Sequence, residues 1–136
     1  MRVPDRYIFK SALLEALLFE AQAAHPKECC GLLWTRERKV ISEFTAFPGT
    51  LKSRSFSLPE SWILSQFYEK KQIGLRLSAF YHSHPGLGPM RPSRRDLVGH
   101  PPGALFLILS PRDEEKGFFQ RGFDSKSYRE LSFSVE

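Results

Sequence analysis

The chain has 136 residues, of which 41% are hydrophobic and 26% are charged, and its formal net charge is +5. This composition is typical of one soluble globular domain, residues 1–136, that can bury roughly two-thirds of its unfolded surface. No apolar stretch approaches the ~20 residues that span a bilayer, and the N-terminus carries no segment typical of a secretory signal. We therefore expect a cytoplasmic protein, neither membrane-bound nor secreted.

The positive charge is concentrated in the middle of the chain. Residues 51–100 contain eight Lys or Arg against three Asp or Glu, whereas the segments on either side are nearly balanced. Three of these cations are Arg91, Arg94 and Arg95. Two interpretations stay open, a solvated helix start or the attraction of an acidic protein substrate. Nucleic-acid binding has less support, because no recognised binding motif accompanies the charge.

The N-terminal segment predicts a short strand followed by an amphipathic helix. The strand covers residues 7–10, and Ser11 is placed to cap a helix that continues to about Ala24. A residue before proline resists the α-helical region, so His25-Pro26 should end the helix. Apolar residues recur every four positions on one face and should pack against the core: Leu13, Leu17 and Ala21.

The cysteines, Cys29 and Cys30, are adjacent at the start of an apolar run that predicts a buried strand over Cys30–Thr35. Neighbouring residues of a strand point to opposite faces, so a disulfide between them would be strained. Reduced, buried thiols are the favoured interpretation, and a zinc-ligand role for either thiol would be redundant with the set described below.

The next segments predict two strands, a helix and a longer strand. The strands cover Val40–Phe47 and Arg54–Leu58, and the pattern Ser57 to Glu60 is typical of a capping box that starts a helix to about Lys71. That helix should bury its apolar stripe, which consists of Trp62, Ile63, Leu64 and Phe67. A strand over Leu75–His84 follows.

This last strand ends in Tyr81-His82-Ser83-His84-Pro85. Side chains alternate along a strand, so His82 and His84 should point the same way, roughly 6–7 Å apart. Ser93 occupies an N-cap position, and Asp96 lies three residues later in the first helical turn. Two imidazoles and one carboxylate supply three protein ligands and leave a fourth position open, which is the arrangement of a catalytic zinc site.

Hydrolysis at such a site also needs a general base. Glu28 is the candidate, because it is the only carboxylate between Glu20 and Glu37 and should lie at the entrance of a buried strand. His100 follows Asp96 by one turn and could lie near the site, but a loop histidine without a metal role is the favoured interpretation.

The C-terminal part predicts three strands, Leu105–Leu109, Gly117–Phe123 and Tyr128–Val135, of which the last two should form a hairpin-like pair. The order of all these elements predicts an α/β (α+β) domain, in which a mixed sheet is flanked by helices.

With these residues in place, the chain resembles the JAMM/MPN+ (Mov34/MPN/PAD-1) zinc metalloprotease family in a compact, prokaryotic-type form. The motifs are the upstream Glu28, then His-x-His-Pro at residues 82–85, then Ser-x-x-Asp at residues 93–96, and the likeness extends from about residue 28 to about residue 134. Seven residues separate the proline from the serine, one more than is usual, and we expect the loop to absorb the extra residue as a bulge.

The resemblance implies a partly barrel-like sheet of the MPN/JAMM, cytidine-deaminase-like type. It implies one Zn²⁺ per chain with His82, His84 and Asp96 as ligands. Glu28 would be the general acid and base, and Ser93 would help to hold the oxyanion of the tetrahedral intermediate.

The activity implied is that of a peptidase or isopeptidase that cuts after the C-terminal Gly-Gly of a ubiquitin-like or sulfur-carrier protein, whose tail should add as a strand to an exposed sheet edge beside the zinc. The alternative is a zinc amidohydrolase acting on small amides. A non-catalytic scaffold is disfavoured, because the full ligand set and the base are present, and a nucleic-acid-binding module has only the charge in its favour. The sequence is also compatible with a homodimer.

Overall fold

The computed structural model describes residues 6–49, 58–86 and 90–136. None of the helices in these ranges combines the length and the apolar character that crossing a membrane requires. The described elements, in chain order, are β1 (Tyr7–Phe9), α1 (Ser11–Ala24), β2 (Cys30–Thr35), β3 (Val40–Ala46), α2 (Glu60–Lys71), β4 (Arg76–Ser83), α3 (Arg94–Gly99), β5 (Leu105–Leu109), β6 (Lys116–Arg121), β7 (Tyr128–Glu130) and β8 (Phe133–Val135).

The strands form one mixed sheet in the order β7-β6-β5-β4-β2-β3-β1-β8. Strand β4 pairs antiparallel with β2 and parallel with β5. The two outermost strands, β7 and β8, are joined by residues 131–132 alone, so the sheet must curl to bring its ends together. The predicted mixed, partly barrel-like sheet flanked by helices is therefore confirmed.

The interior of the curl is closed by α1 and by aromatic rings. Leu13, Leu17 and Ala21 of α1 are buried, as predicted from their spacing. The ring of Phe9 packs edge-on against Phe118 and Phe133, each with a centroid distance of 5.1 Å. Because buried aromatic rings contribute much of the apolar area of a core, these contacts hold the two ends of the curled sheet together.

The start of α1 differs from the prediction. The helix begins at Ser11, and its N-cap is Lys10, which makes no side-chain capping hydrogen bond. The Ser11 amide instead donates to the backbone carbonyl of Glu136 at 2.8 Å, and the Lys10 amide donates to the carbonyl of Ile41 at 3.0 Å. Tertiary pairing thus satisfies the Ser11 amide, which is one of the helix-start amides without a partner inside the helix.

Helix α2 ends at Lys71 as predicted, but the prediction that it buries its apolar stripe is wrong. No residue of α2 is fully buried, and Leu64 and Phe67 are 47% and 37% exposed. Among the described residues, Trp62 and Ile63 pack against a core cluster, and the rings of Trp62 and Phe47 lie 5.0 Å apart. The predicted strand and capping-box serine at residues 54–57 lie outside the described residues, and Leu58 is not in a strand.

The predicted last strand is in fact two. Its first part, β7, pairs antiparallel with β6 as a hairpin should, and its second part, β8, pairs parallel with β1 at the far end of the sheet. Strand β6 begins one residue earlier and ends two residues earlier than predicted. Strands β1, β3 and β4 are each one or two residues shorter than predicted. In β4, the predicted terminal residue His84 lies just outside the strand.

Candidate metal centre

The first ligand candidate, His82, is fixed by the pairing of β2 with β4. His82 lies opposite Cys30 in this antiparallel pair, and its side chain is completely buried. One residue further, the Ser83 amide donates to the carbonyl of Cys29 at 2.9 Å, and the Cys29 amide donates to Ser83 Oγ at 2.8 Å. These two bonds tie the end of β4 to the entrance of β2, where Glu28 precedes Cys29.

The second candidate, His84, lies just beyond the end of β4. Its amide still donates to the carbonyl of Leu109 at 2.9 Å, so the parallel ladder with β5 continues to this residue. The side chain therefore returns to the face of His82, as the alternation predicts. The two Nε2 atoms lie 3.1 Å apart.

The third candidate, Asp96, is positioned by the capping box of α3. The Asp96 amide donates to Ser93 Oγ at 3.2 Å, and the Ser93 amide donates to Asp96 Oδ2 at 2.7 Å. This confirms the predicted N-cap and its reciprocal partner. The loop of residues 87–89, within which the expected bulge falls, lies outside the described residues.

These three side chains converge on one point. Asp96 Oδ1 lies 3.0 Å from His82 Nε2, and Asp96 Oδ2 lies 3.0 Å from His84 Nε2. Each Nε2 thus faces two neighbours, but an imidazole nitrogen can donate at most one proton in one direction. A central cation would be shared by all three atoms, and zinc bonds of about 2.1 Å imply tetrahedral ligand separations of about 3.4 Å. The arrangement therefore fits a metal ion.

The protonation of the cluster also suits a metal. Burial lowers the pKa of His82. The nearby carboxylates of Asp96 and Glu28 raise it, but burial has the larger effect and favours the neutral imidazole. Burial opposes the charge on Asp96, but the hydrogen bonds from His82 and His84 outweigh it and hold the pKa of Asp96 below its ordinary value. Neutral imidazoles and an ionised carboxylate are the forms that bind a cation.

Glu28 lies beside this cluster on a partly buried loop ahead of β2. Extending the register of β2 and β4 from Cys30 opposite His82 places Glu28 near His84. Its carboxylate oxygen Oε1 lies 3.5 Å from Nη1 of Arg95, the second residue of α3. The fold thus brings the predicted base to the mouth of the predicted metal site.

The other predicted site residues are all on the segment around the start of α3. Ser93 is exposed, and its cap uses the hydroxyl oxygen as an acceptor, so the O–H proton can still be donated to another group. Arg91 and Arg94 are exposed, whereas Arg95 is half-buried against Glu28. Of the three arginines that the sequence offered for substrate attraction, two point to solvent and one is engaged at the site.

A cleft of about 820 Å³ adjoins the cluster on the side of Glu28. Its walls come from the end of α1, the loop ahead of β2, and Phe47, and Arg95 closes one side. The strands next to the site, β2, β4 and β5, each have a neighbour on both sides. The prediction that one of these strands offers an open sheet edge beside the metal is therefore wrong. The concave surface next to Glu28 is instead the cleft described above.

Two further groups lie near the site. Cys29 and Cys30 are free and buried, and burial raises their pKa values to about 11 and about 12. Neither thiol belongs to the candidate ligand group found among the described residues. His100 is buried against the site, its ring 5.7 Å from that of His82 and 4.4 Å from that of Phe106. Burial lowers the pKa of His100 to about 3. The group of three ligand atoms identified among the described residues does not include it.

Sequence reasoning missed the contact role of His100 and the pairing of Arg95 with Glu28. The one-turn spacing of His100 from Asp96 did signal proximity, but stacking on Phe106 of the following strand β5 depends on how the chain turns between the two residues. The pairing of Arg95 left no signal in the sequence, because its partner lies 67 positions away on another element.

Comparison with known proteins places this geometry in a family. The model of the prokaryotic homologs of the JAB domain matches residues 10–122. A search of curated proteins finds no match.

Several solved structures share the fold. A JAB1/MPN-domain protein from Archaeoglobus fulgidus is 23% identical, with a TM-score of 0.68, and the match covers 98% of this chain and 100% of that one. A protein from Desulfitobacterium hafniense is 24% identical, with a TM-score of 0.76 and coverage of 96% and 92%. A protein described as carrying JAMM, a metalloprotease-like zinc site in the proteasome and signalosome, is 19% identical, with a TM-score of 0.61 and coverage of 96% and 98%.

At these identities the solved structures show the fold alone, and the family rests on the matching model, which spans more than half of the chain. The chain belongs to the prokaryotic homologs of the JAB domain, with a JAMM metalloprotease-like fold.

Proposed function

We propose that this protein is a zinc-dependent peptidase or isopeptidase that hydrolyses the bond after the C-terminal Gly-Gly of a small ubiquitin-like or sulfur-carrier protein. The observation that carries the proposal is the convergence of His82, His84 and Asp96 at mutual distances of 3.0–3.1 Å. The partly buried carboxylate of Glu28 lies on the same side of the sheet and supplies the base that hydrolysis requires.

Each residue then has a defined task. A zinc ion held by His82, His84 and Asp96 would lower the pKa of a bound water towards ~7 and polarise the scissile carbonyl. Glu28 accepts a proton from the attacking water as the C–O bond forms, and it then delivers that proton to the departing amine as the C–N bond breaks. The Ser93 hydroxyl donates a hydrogen bond to the carbonyl oxygen as negative charge develops there.

The preference for glycine follows from access to the buried ligands. His82 and Asp96 are almost fully buried, so the scissile carbonyl must come close to recessed ligands, and residues without a Cβ allow that approach most easily. The exposed cations Arg91 and Arg94 lie within two residues of Ser93 in the sequence and would attract an acidic carrier protein.

A matched pair of fusions tests this proposal. A ubiquitin-like protein is joined to a second protein through Gly-Gly or through Ala-Ala, and the products are identified by mass spectrometry with and without a chelator. We expect cleavage of the Gly-Gly fusion only, and its loss on chelation. Equal cleavage of both fusions, or cleavage that resists the chelator, would contradict the proposal. Hydrolysis of small amides without cleavage of either fusion would identify an amidohydrolase instead.

A further inference from the structure

Arg95 is the one arginine of the motif segment that makes an ion pair at the site among the described residues. Its Nη1 lies 3.5 Å from Glu28 Oε1, and the side chains are 32% and 28% exposed. The neighbouring Arg94 belongs to the same helical turn but is exposed and has no such partner among the described residues. The two adjacent arginines therefore occupy different environments, although the sequence presents them as equivalent.

The contact joins two segments that the fold has already fixed. The Ser93 capping box anchors the start of α3, and with it Arg95. The bonds between Cys29 and Ser83 anchor the backbone that carries Glu28. The glutamate side chain itself still has three rotatable torsions, so its anchored backbone does not determine where the carboxylate lies.

A role for this pair in stability alone is a weak explanation. Partly exposed ion pairs contribute little to the free energy of unfolding. The Nε of Arg95 is buried and has no hydrogen-bond partner among the described residues. Glu28 is the one ion-pair partner identified for the Arg95 guanidinium in residues 6–49, 58–86 and 90–136. The contact restrains both side chains, and of the two it is the Glu28 carboxylate that lies beside the metal cluster.

We infer that Arg95 is a positioning residue that holds the Glu28 carboxylate at the mouth of the metal cluster. The inference rests on the proposed function, in which Glu28 must stay within hydrogen-bond reach of the attacking water and of the leaving amine. Misplacement of a reacting group by about 1 Å can cost ~10²-fold in rate. Arg95 thus acts on turnover through Glu28 and not through contact with the substrate.

The kinetic test compares Arg95→Gln with Arg36→Gln, which removes the same charge from a comparable, partly exposed ion pair with Glu43 beyond the other end of β2. We expect kcat on the Gly-Gly fusion to fall about tenfold or more in Arg95→Gln, with KM changed less than about twofold. Arg36→Gln should keep kcat, and Arg95→Lys should recover part of the loss. In a Glu28→Gln background, Arg95→Gln should cause no further loss. Equal kcat in Arg95→Gln and Arg36→Gln, or a change confined to KM, would overturn the inference.

A second readout does not depend on activity or on bound metal. In metal-free protein labelled with ¹³C at the glutamate carboxyl carbons, the Glu28 resonance should move in Arg95→Gln and stay in place in Arg94→Gln, while circular dichroism shows both variants folded. An unmoved resonance in Arg95→Gln would contradict the inference. Wild-type protein that cleaves neither fusion would refute the proposed function, whereas the resonance would still report whether Arg95 holds Glu28.

Discussion

At the scale of single residues, the proposed chemistry depends most directly on Glu28. Replacing it with Gln keeps the shape of the side chain but removes the group that accepts and returns the proton. We expect Glu28→Gln to keep its fold and bound zinc and to lose at least ~10²-fold in turnover of the Gly-Gly fusion, measured together with metal content.

A useful control is Glu20→Gln, because Glu20 lines the same cleft but accepts a hydrogen bond from Tyr81 at 3.0 Å on the core side. This variant should turn over at close to the wild-type rate. Near-normal turnover by Glu28→Gln would remove Glu28 from the mechanism, and a simultaneous loss of zinc would make it a ligand.

Residue spacing predicts some contacts of the candidate site and not others. The His-x-His alternation correctly predicts that His82 and His84 share a face, and the interval from Ser93 to Asp96 correctly predicts the capping box. These short-range patterns are predictive because backbone geometry fixes the direction of each side chain. The pairing of Glu28 with Arg95 could not be predicted, because it depends on how two distant segments meet.

At the scale of elements, the site depends on the close approach of β2, β3 and β4. Gly31, the second residue of β2, faces Tyr81 of β4 and Ala46 of β3. A Cβ built at Gly31 would lie 2.1 Å from the carbonyl oxygen of Thr45 and 2.7 Å from the Tyr81 ring. This packing therefore requires glycine at position 31. The pairing of β2 with β4 also brings Glu28, which precedes β2, towards His82.

This packing gives a stability prediction. Gly31→Ala should lower the free energy of unfolding by about 1–3 kcal/mol, since the strands must separate to admit the methyl group. Gly86→Ala is the matched control, because a Cβ there meets nothing within 4 Å among residues 6–49, 58–86 and 90–136, and it should change stability little. Urea unfolding of the two variants measures both effects. Equal midpoints would mean that β2 and its neighbours do not pack as closely as described.

The limits of sequence reasoning at this scale are visible in the helices. The apolar stripe of α2 has the spacing of a buried face, yet Leu64 is 47% exposed. An apolar pattern predicts which face of a helix points inward, but it does not indicate how much sheet surface is available for that helix to cover. The cap of α1 was misassigned because a carbonyl from the C-terminus, which no local pattern reports, satisfies the Ser11 amide.

At the scale of the whole molecule, the order of elements predicted a mixed sheet but not its closure. The predicted last strand contains two short strands that pair at opposite ends of the sheet, and residues 131–132 between them force the curl. The family resemblance supplied the barrel-like shape that periodicity alone could not, because a strand pattern does not specify its partners. The net charge of +5 is a property of the surface and leaves the fold undetermined.

The central claim is that one zinc ion is held by His82, His84 and Asp96, and metal analysis tests it most directly. Purified, zinc-loaded wild-type protein should contain one zinc per chain, and His82→Ala, checked for folding by circular dichroism, should lose most of it. Cys30→Ser, which alters the residue paired with His82 but not a predicted ligand, should keep one zinc per chain. Full zinc occupancy in folded His82→Ala protein would contradict the account.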